Sequence, residues 1–293
     1  MRGHFLIITA LAIWSTWGLV VRWEGIPAAV IVFYAALFGL VFQGVFLLAA
    51  RRRFKLHMGR DMAAIFLLGV CSLANALSFF YALRVTTIAS ALLTHYTAPV
   101  LVALLAPFML GDRMGRATLT ALAVSAAGLA LIFVRGLELS GVSGLGGAAA
   151  GAFSGLAYAL VIIISRGISA RHDPVKVMFL QGLVPAAALG VYLILTGGLG
   201  VSLRQGLVLA FAGLTHTTLA NVLYLYGIRE VTAQEAGVLG YLEPVLAITL
   251  AFLFLGETPR LPALAGGALI ILSGFIVIRN GGLKPDAGRP KAR

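Results

Sequence analysis

Apolar residues fill long stretches of this chain, and the charged residues collect in short clusters between them. Ten stretches stand out, at 5–21, 27–50, 62–83, 87–110, 116–134, 145–165, 175–196, 205–227, 232–255 and 261–278. An α-helix needs about 20 apolar residues to cross about 30 Å of hydrocarbon. In lipid the backbone has no water to bond to, so apolar runs of this length must satisfy their own hydrogen bonds as helices. The pattern therefore predicts an all-α integral membrane protein of ten transmembrane helices.

Composition supports the same class. Of 293 residues, 60% are apolar and 11% charged, too few polar residues to cover a soluble domain of this length. The connections are a handful of residues each, so the stretches form one membrane domain. A secretory signal at the start is disfavoured by the Trp14-Ser15-Thr16-Trp17 centre of the first stretch. Cys71 is the sole cysteine, which leaves no intramolecular disulfide. The Gly-, Pro- and Lys-containing tail at 281–293 is expected to be a disordered basic segment.

The net charge of +12 would suit a nucleic-acid partner if it were gathered on one face. It is instead divided between the two sides of the membrane. With the N-terminus inside, 17 of the 22 Lys and Arg residues fall on the cytoplasmic side, including Arg51, Arg52, Arg53, Lys55, Arg60 and Arg113. The other 5 are Arg22, Arg84, Arg135, Arg204 and Arg260. This bias is the positive-inside pattern; it places both termini in the cytoplasm and argues against a nucleic-acid partner.

The chain also repeats itself. Setting 80–136 against 225–281 without a gap places Tyr81 on Tyr226, Arg84 on Arg229, Thr87 on Thr232, Tyr96 on Tyr241, Pro99 on Pro244, Gly111 on Gly256 and Asp112 on Glu257. Apolar helices match by chance in Leu and Ala, but not in Tyr, Arg, Pro and Gly at a constant spacing of 145. The expected organisation is a first five-helix repeat at 1–140 and a second at 141–280. Five is odd, so the second copy enters from the opposite side, giving the inverted 5+5 repeat found in many secondary transporters.

The paired stretches Tyr-Ala-Leu-Arg … Thr-Ala-Pro-Val … Leu-Gly-Asp (81–112) and Tyr-Gly-Ile-Arg … Leu-Glu-Pro-Val … Leu-Gly-Glu (226–257) resemble the duplicated domain of the drug/metabolite transporter superfamily, EamA-type branch. The resemblance covers nearly the whole chain. It implies an inverted 5+5 repeat and transport of small metabolites, often as export. The Ile-Trp-Ser-Thr run at 13–16 is similar to that of aromatic amino acid exporters. Asp112 departs from the usual Glu of the family but keeps the charge.

Ionisable groups at membrane depth are costly and mark functional candidates. Glu243, His95 and His216 stand there, with Glu235 nearer a helix end. On a continuous helix Ala236, Gly240, Glu243 and Ala247 share a small-residue face. Asn75, Ser78 and Phe79 cluster on the third stretch, and Thr217, Asn221 and Tyr224 on the eighth. With Trp17, Tyr96, Tyr158 and Tyr241 they predict a substrate pocket of aromatic walls and a few polar anchors, each aromatic having packing as its alternative role. Pro99 and Pro244 each remove a helical hydrogen bond and are expected to kink their helices as hinges. Gly147, Gly151 and Gly155, four apart, predict a close helix contact.

The Gly-Val-Ser-Gly run at 141–144 has the serine of some intramembrane proteases but no histidine at a matching distance. No Walker A loop, HExxH or CxxC occurs, so no cofactor or metal is expected. The reading that follows is a non-enzymatic secondary transporter in a bacterial inner membrane. It exports a small solute, most plausibly an amino acid or similar amphipathic metabolite, by alternating access, with proton coupling as an option. A channel or facilitator is the alternative, although isolated polar groups replace the continuous polar stripe a channel needs. An intramembrane enzyme or sensor ranks below both. For the topology, single cysteines at Lys55 and at Arg204 in a Cys71-free background are expected to react with an impermeant label from opposite sides; labelling from one side rules out the inverted repeat.

Overall fold

The computed structural model of the protein describes residues 1–17, 26–49, 60–111, 115–133, 141–256, 258–259 and 261–280. Arg22, the 51–59 cluster, Asp112, Arg113, Arg135, Glu257, Arg260 and the tail at 281–293 lie outside the described residues. Among the described residues all regular structure is helical. The elements are α1 (Arg2–Trp14), α2 (Ala28–Ala49), α3 (Arg60–Val85), α4 (Ile88–His95), α5 (Ala98–Leu110), α6 (Arg116–Phe133), α7 (Gly141–Ser169), α8 (Pro174–Thr196), α9 (Leu203–Ala212), a π-helix (Gly213–Ala220), α10 (Asn221–Gly227), α11 (Ala233–Gly240), α12 (Leu242–Leu255) and α13 (Leu261–Asn280).

Joined end to end, these give nine spans among the described residues that are long and apolar enough to cross a membrane, and α1 supplies a shorter apolar tenth. The spans follow the hydropathy pattern closely. Three of them, however, are broken where an unbroken helix was expected. The fourth divides into α4 and α5, the ninth into α11 and α12, and the eighth passes through the π-helix.

The breaks in spans 4 and 9 fall at equivalent places, at Tyr96-Thr97 and at Tyr241. Pro99 and Pro244 do not sit inside a helix, as a simple kink would have it; they stand in the first turn of α5 and of α12. There a proline lacks only an N–H that has no helical acceptor anyway, and its fixed φ suits the turn. The repeated glycines end the same two spans: Gly111 has φ 73° and Gly256 φ 69°, left-handed values that strain other residues.

Packing follows the repeat. Span 2 packs on span 7, span 4 on span 9, and span 5 on span 10. Span 3 packs on spans 6 and 7 as span 8 packs on spans 1 and 2, and span 4 packs on span 6 as span 9 does on span 1. Exchanging the two halves thus carries these contacts onto one another. Spans 5 and 10 cross at Gly128 and Gly266, where a Cβ on Gly128 would stand 2.6 Å from the Gly266 carbonyl oxygen. The spacing of 145 carries Gly128 to Ser273 and Gly266 back to Ala121, and both of these are fully buried. Lipid supplies no hydrophobic force between helices, so such small-residue crossings let dispersion hold them together.

The glycine row of α7 performs the close contact expected of it. A Cβ on Gly147 would lie 2.5 Å from Thr86 Cβ, one on Gly151 3.1 Å from the Ala91 carbonyl, and one on Gly155 2.6 Å from the carbonyl of His95. This face seats the end of α4, and with it His95, against α7. The Gly-Val-Ser-Gly run is the start of α7, with the side chains of 141–143 outside the description. A Gly155→Ala variant is expected to cost about 1–3 kcal/mol, because a methyl group driven into backbone forces the helices apart. A lowered thermal midpoint in detergent, with a smaller loss for Ala at Gly146, which faces open space, checks this.

Candidate functional site

The two breaks meet at the centre of the bundle. The Tyr241 hydroxyl donates to the Tyr96 carbonyl at 3.0 Å, and the two rings stand 6.1 Å apart. These residues are 145 apart, so each is the repeat image of the other. A point and its image under a two-fold rotation are close only near the axis, so the pseudo-axis of the molecule passes between these tyrosines. The bond also satisfies a carbonyl left without a helical donor where α4 ends, a necessity in a medium without water.

Glu243 stands in the first turn of α12, beside this point. Its carboxyl group lies within hydrogen-bonding range of the Tyr96 hydroxyl and within electrostatic range of Tyr158 of α7. A carboxylate at a helix N-terminus also meets the positive end of the helix dipole. Since Tyr241 ends one helix before Leu242 begins the next, Gly240 and Glu243 lie on different helices, which corrects the single face drawn through Ala236, Gly240, Glu243 and Ala247.

His95, buried at 8% exposure, ends α4. Its Nδ1 lies 2.7 Å from the Ser154 hydroxyl of α7, which leaves Nε2 for a ligand. Three aromatic rings enclose the imidazole: Tyr158 stacked at 5.3 Å, Phe79 at 4.6 Å and Tyr96 edge-on at 5.3 Å. Ser154 was not foreseen, although its place in the small-residue face of α7 beside Gly155 was a usable signal. The structure thus brings together Phe79, His95, Tyr96, Tyr158, Tyr241 and Glu243.

Two further predicted residues carry polar atoms without a protein partner. The Asn75 Oδ1 and the Tyr224 hydroxyl are buried and unbonded among the described residues. Leaving such an atom unbonded costs about 1–3 kcal/mol, so it is a place where a ligand gains affinity. Tyr224 packs on Trp14 at 5.3 Å and lies within electrostatic range of Tyr158, which joins it to the same cluster. Ser78, by contrast, donates to the Ala74 carbonyl of its own helix at 2.6 Å.

The eighth span departs from what the sequence predicted. Its π-helix bonds i to i+5, a form seen mostly at functional sites. Gly69 and Gly213 play the same part in their repeats, one set against the Gln181 carbonyl and Val184, the other against the Ala35 carbonyl and Phe38. From Gly69 to Tyr81 is 12 residues, and from Gly213 to Tyr226 it is 13. The second repeat therefore holds one extra residue in this span, and the π-helix absorbs it. The i, i+4, i+7 face of Thr217, Asn221 and Tyr224 does not survive this widening. Thr217 turns its methyl toward Gly39 of α2, and Asn221 Nδ2 spans the His216 and Thr217 carbonyls at 3.1 Å each.

His216 is fully engaged there. Thr16 and Thr215 hydroxyls lie 2.8 Å from its Nε2 and Nδ1, the Trp17 ring packs on it at 4.4 Å with a tilt of 47°, and Trp14 Nε1 donates to its carbonyl at 3.1 Å. Trp17 and His216 thus form a second aromatic group, where span 1 meets the π-helix.

The two ends of the bundle differ. At one end Arg229 donates to the Ser169 and His172 carbonyls with its guanidinium 5.0 Å over the Tyr226 ring. Asp61 of α3 bonds Arg171 at 2.9 Å and His172 at 2.7 Å, so the turn between spans 6 and 7 is tied to spans 3 and 8. At the other end the repeat images of Tyr226 and Arg229, which are Tyr81 and Arg84, line a cavity of about 670 Å³ together with Ile26, Tyr192 and Gln205. One end is latched by these ties, and the cavity lies at the other.

Comparison with known proteins agrees with this architecture. The family model described as the EamA-like transporter family matches residues 1–134 and again 145–279. A relative described as an uncharacterized transporter from Archaeoglobus fulgidus is 30% identical over 95% of this chain and 97% of its own length. The pseudopaline exporter CntI of Pseudomonas aeruginosa is 28% identical over 87% of each chain. A crystal structure superposes with a TM-score of 0.81 over 96% of this chain and 98% of the other, at 19% identity, which speaks to the fold alone. The chain is a multi-pass membrane protein, and it belongs to the EamA-like transporter family of the drug/metabolite transporter superfamily.

Proposed function

We propose that this transporter exports a small zwitterionic or amphipathic solute, most plausibly an amino acid, by alternating access in exchange for protons. The observation that carries this reading is Glu243 beside the Tyr96 hydroxyl at the pseudo-axis, with the Tyr96 ring in turn 5.3 Å from the His95 imidazole in its aromatic box. An ammonium group pairs with the carboxylate, the solute carboxylate meets His95 Nε2, and apolar parts lie on Phe79, Tyr158 and Tyr224. Asn75 Oδ1 accepts a further donor. Similarity to an exporter supports the direction. An enzyme is disfavoured by membership of a transporter family.

A proton enters the cycle through Glu243. A charged carboxylate at mid-membrane without a partner costs several kcal/mol, so the closed site holds either a protonated Glu243 or a cation beside it. Binding of the solute ammonium therefore displaces the proton, and the two are carried in opposite directions. The latched end, rich in Arg and Lys in the sequence, is assigned to the cytoplasm, and the cavity beside Arg84 to the outside.

Reconstitution into proteoliposomes with a panel of amino acids, with and without a pH gradient, tests this. Saturable uptake that the gradient drives above equilibrium is the expected result; flux that is never concentrative favours a facilitator. Glu243→Gln is expected to keep exchange of solute and lose the response to the gradient. An unchanged response would make Glu243 structural.

Pro99 and Pro244 are assigned to bending of spans 4 and 9 between states. Pro99→Ala and Pro244→Ala are expected to fold and to slow flux about tenfold, a barrier increase near 1.4 kcal/mol. Parent rates in both variants rule out the hinge.

A further inference from the structure

His4 lies near the start of α1 and is 3% exposed, yet neither of its ring nitrogens has a hydrogen-bond partner. It is held there by tight packing. A Cβ on Gly3 would meet the Gly227 carbonyl at 2.8 Å, and one on Gly227 would meet the Gly3 carbonyl at 2.7 Å, so α1 presses directly onto the turn between spans 8 and 9. An imidazole with two polar nitrogens shut away from water is costly, and apolar residues would fill the space at no such cost.

The charges facing His4 are known from each neighbouring element. On α1 are the Met1 ammonium and Arg2, whose guanidinium lies 3.9 Å from Glu230. The turn before α11 brings Glu230, and the first turn of α11 brings Glu235; both carboxylates are within electrostatic range of His4. Arg229 on the same turn is directed away, to the Ser169 and His172 carbonyls. Glu235 is 6% exposed, and one of its oxygens accepts from the Thr232 N–H at 2.8 Å in a capping box. The first repeat caps α4 with Thr87 in the same way but has Ser90 where the second has Glu235. The cap alone therefore does not require a carboxylate.

We propose that His4 and Glu235 form a buried proton-binding site at the latched end of the bundle, distinct from Glu243, that takes up a proton only when this end opens. In the latched state burial disfavours the imidazolium more than Glu235 and Glu230 favour it, so the ring is held neutral. When the ties of Asp61 to Arg171 and His172 and of Arg229 to the 169–172 turn release, spans 1, 8 and 9 part and expose the pair. An imidazolium formed there is stabilised by Glu235 and by Glu230, and closing the end would bury a neutralised pair rather than a lone charge. The protonation of His4 is in this way linked to which end is open. The proposal extends the proton-exchange reading by supplying a second site for the proton, but it does not depend on the identity of the solute.

The proton itself is the probe. Protein labelled with ¹⁵N-histidine and held in lipid nanodiscs has 5 histidines, and the His4 signal is assigned by its loss in His4→Gln. The expected result is a His4 signal that titrates at higher pH in Asp61→Asn, which removes the ties that hold this end, than in the parent protein. Its midpoint is expected to fall by about one pH unit in Glu235→Gln. A His4 signal constant over roughly pH 5 to 8 in both the parent protein and Asp61→Asn, or a midpoint that Asp61→Asn does not move, overturns the proposal; a midpoint unmoved by Glu235→Gln overturns the pairing. Failure of the solute panel described above would leave the His4 titration standing, so the two readings fail separately.

Discussion

A backbone carbonyl or amide in lipid must find its partner within the protein, and the rest of this architecture depends on how that demand is met where helices break. The centre of the molecule contains two such breaks, one in each repeat. The Tyr241 hydroxyl serves the Tyr96 carbonyl, while the prolines that follow need no acceptor for an N–H they lack. Because the second break satisfies the first, the two are brought together at the pseudo-axis. The start of α12 delivers Glu243 to the same point. The candidate ligand site is thus a by-product of closing two interrupted helices against one another, the arrangement transporter folds use to place ligand groups at mid-membrane.

What surrounds that point is held by small residues rather than by large ones. Gly151 and Gly155 let the end of α4 reach the backbone of α7, which brings His95 within bonding distance of Ser154 and under the Tyr158 ring. Spans 5 and 10, joined through Gly128 and Gly266, carry no polar group of the site and brace the outside of it. The division of labour is clear in the first helix as well, where Trp14 and Trp17 reach the π-helix while the Gly3 end is wedged against the turn that carries Arg229.

The span boundaries and the duplication were legible in the sequence because lipid imposes length and because Gly111, Gly256, Tyr96 and Tyr241 each have a backbone or axis duty that only a few residue types fulfil. Glu243 and His95 were legible because charge at membrane depth is rare. The faces of span 8 were not. Hydropathy cannot distinguish a helix surface turned to lipid from one turned to protein, since both are apolar, and periodicity of 3.6 fails where the helix is wound as π. Thr217 was therefore assigned to a face it does not share with Tyr224. His4 escaped notice for a related reason: it stands near the beginning of its helix, where a polar side chain ordinarily reaches water. Its burial depends on the Gly3 and Gly227 contact, which joins residues far apart in the chain.

The residue added between Gly213 and Tyr226 has a bearing on energetics as well as on shape. Two repeats identical in sequence could trade conformations and return a molecule related to the first by the two-fold rotation, of the same free energy, with both openings equally populated. One residue more in a regular helix would turn everything beyond it by about 100°, and the wider π turn takes that residue up locally. The trade between the repeats is therefore never exact, so under the proposed alternating-access cycle the two arrangements differ in free energy. A ligand or an ion gradient then works against a standing preference rather than tipping an even balance, and the size of that preference, set by how well the wider turn packs in each arrangement, fixes how strongly the solute must bind to reverse it.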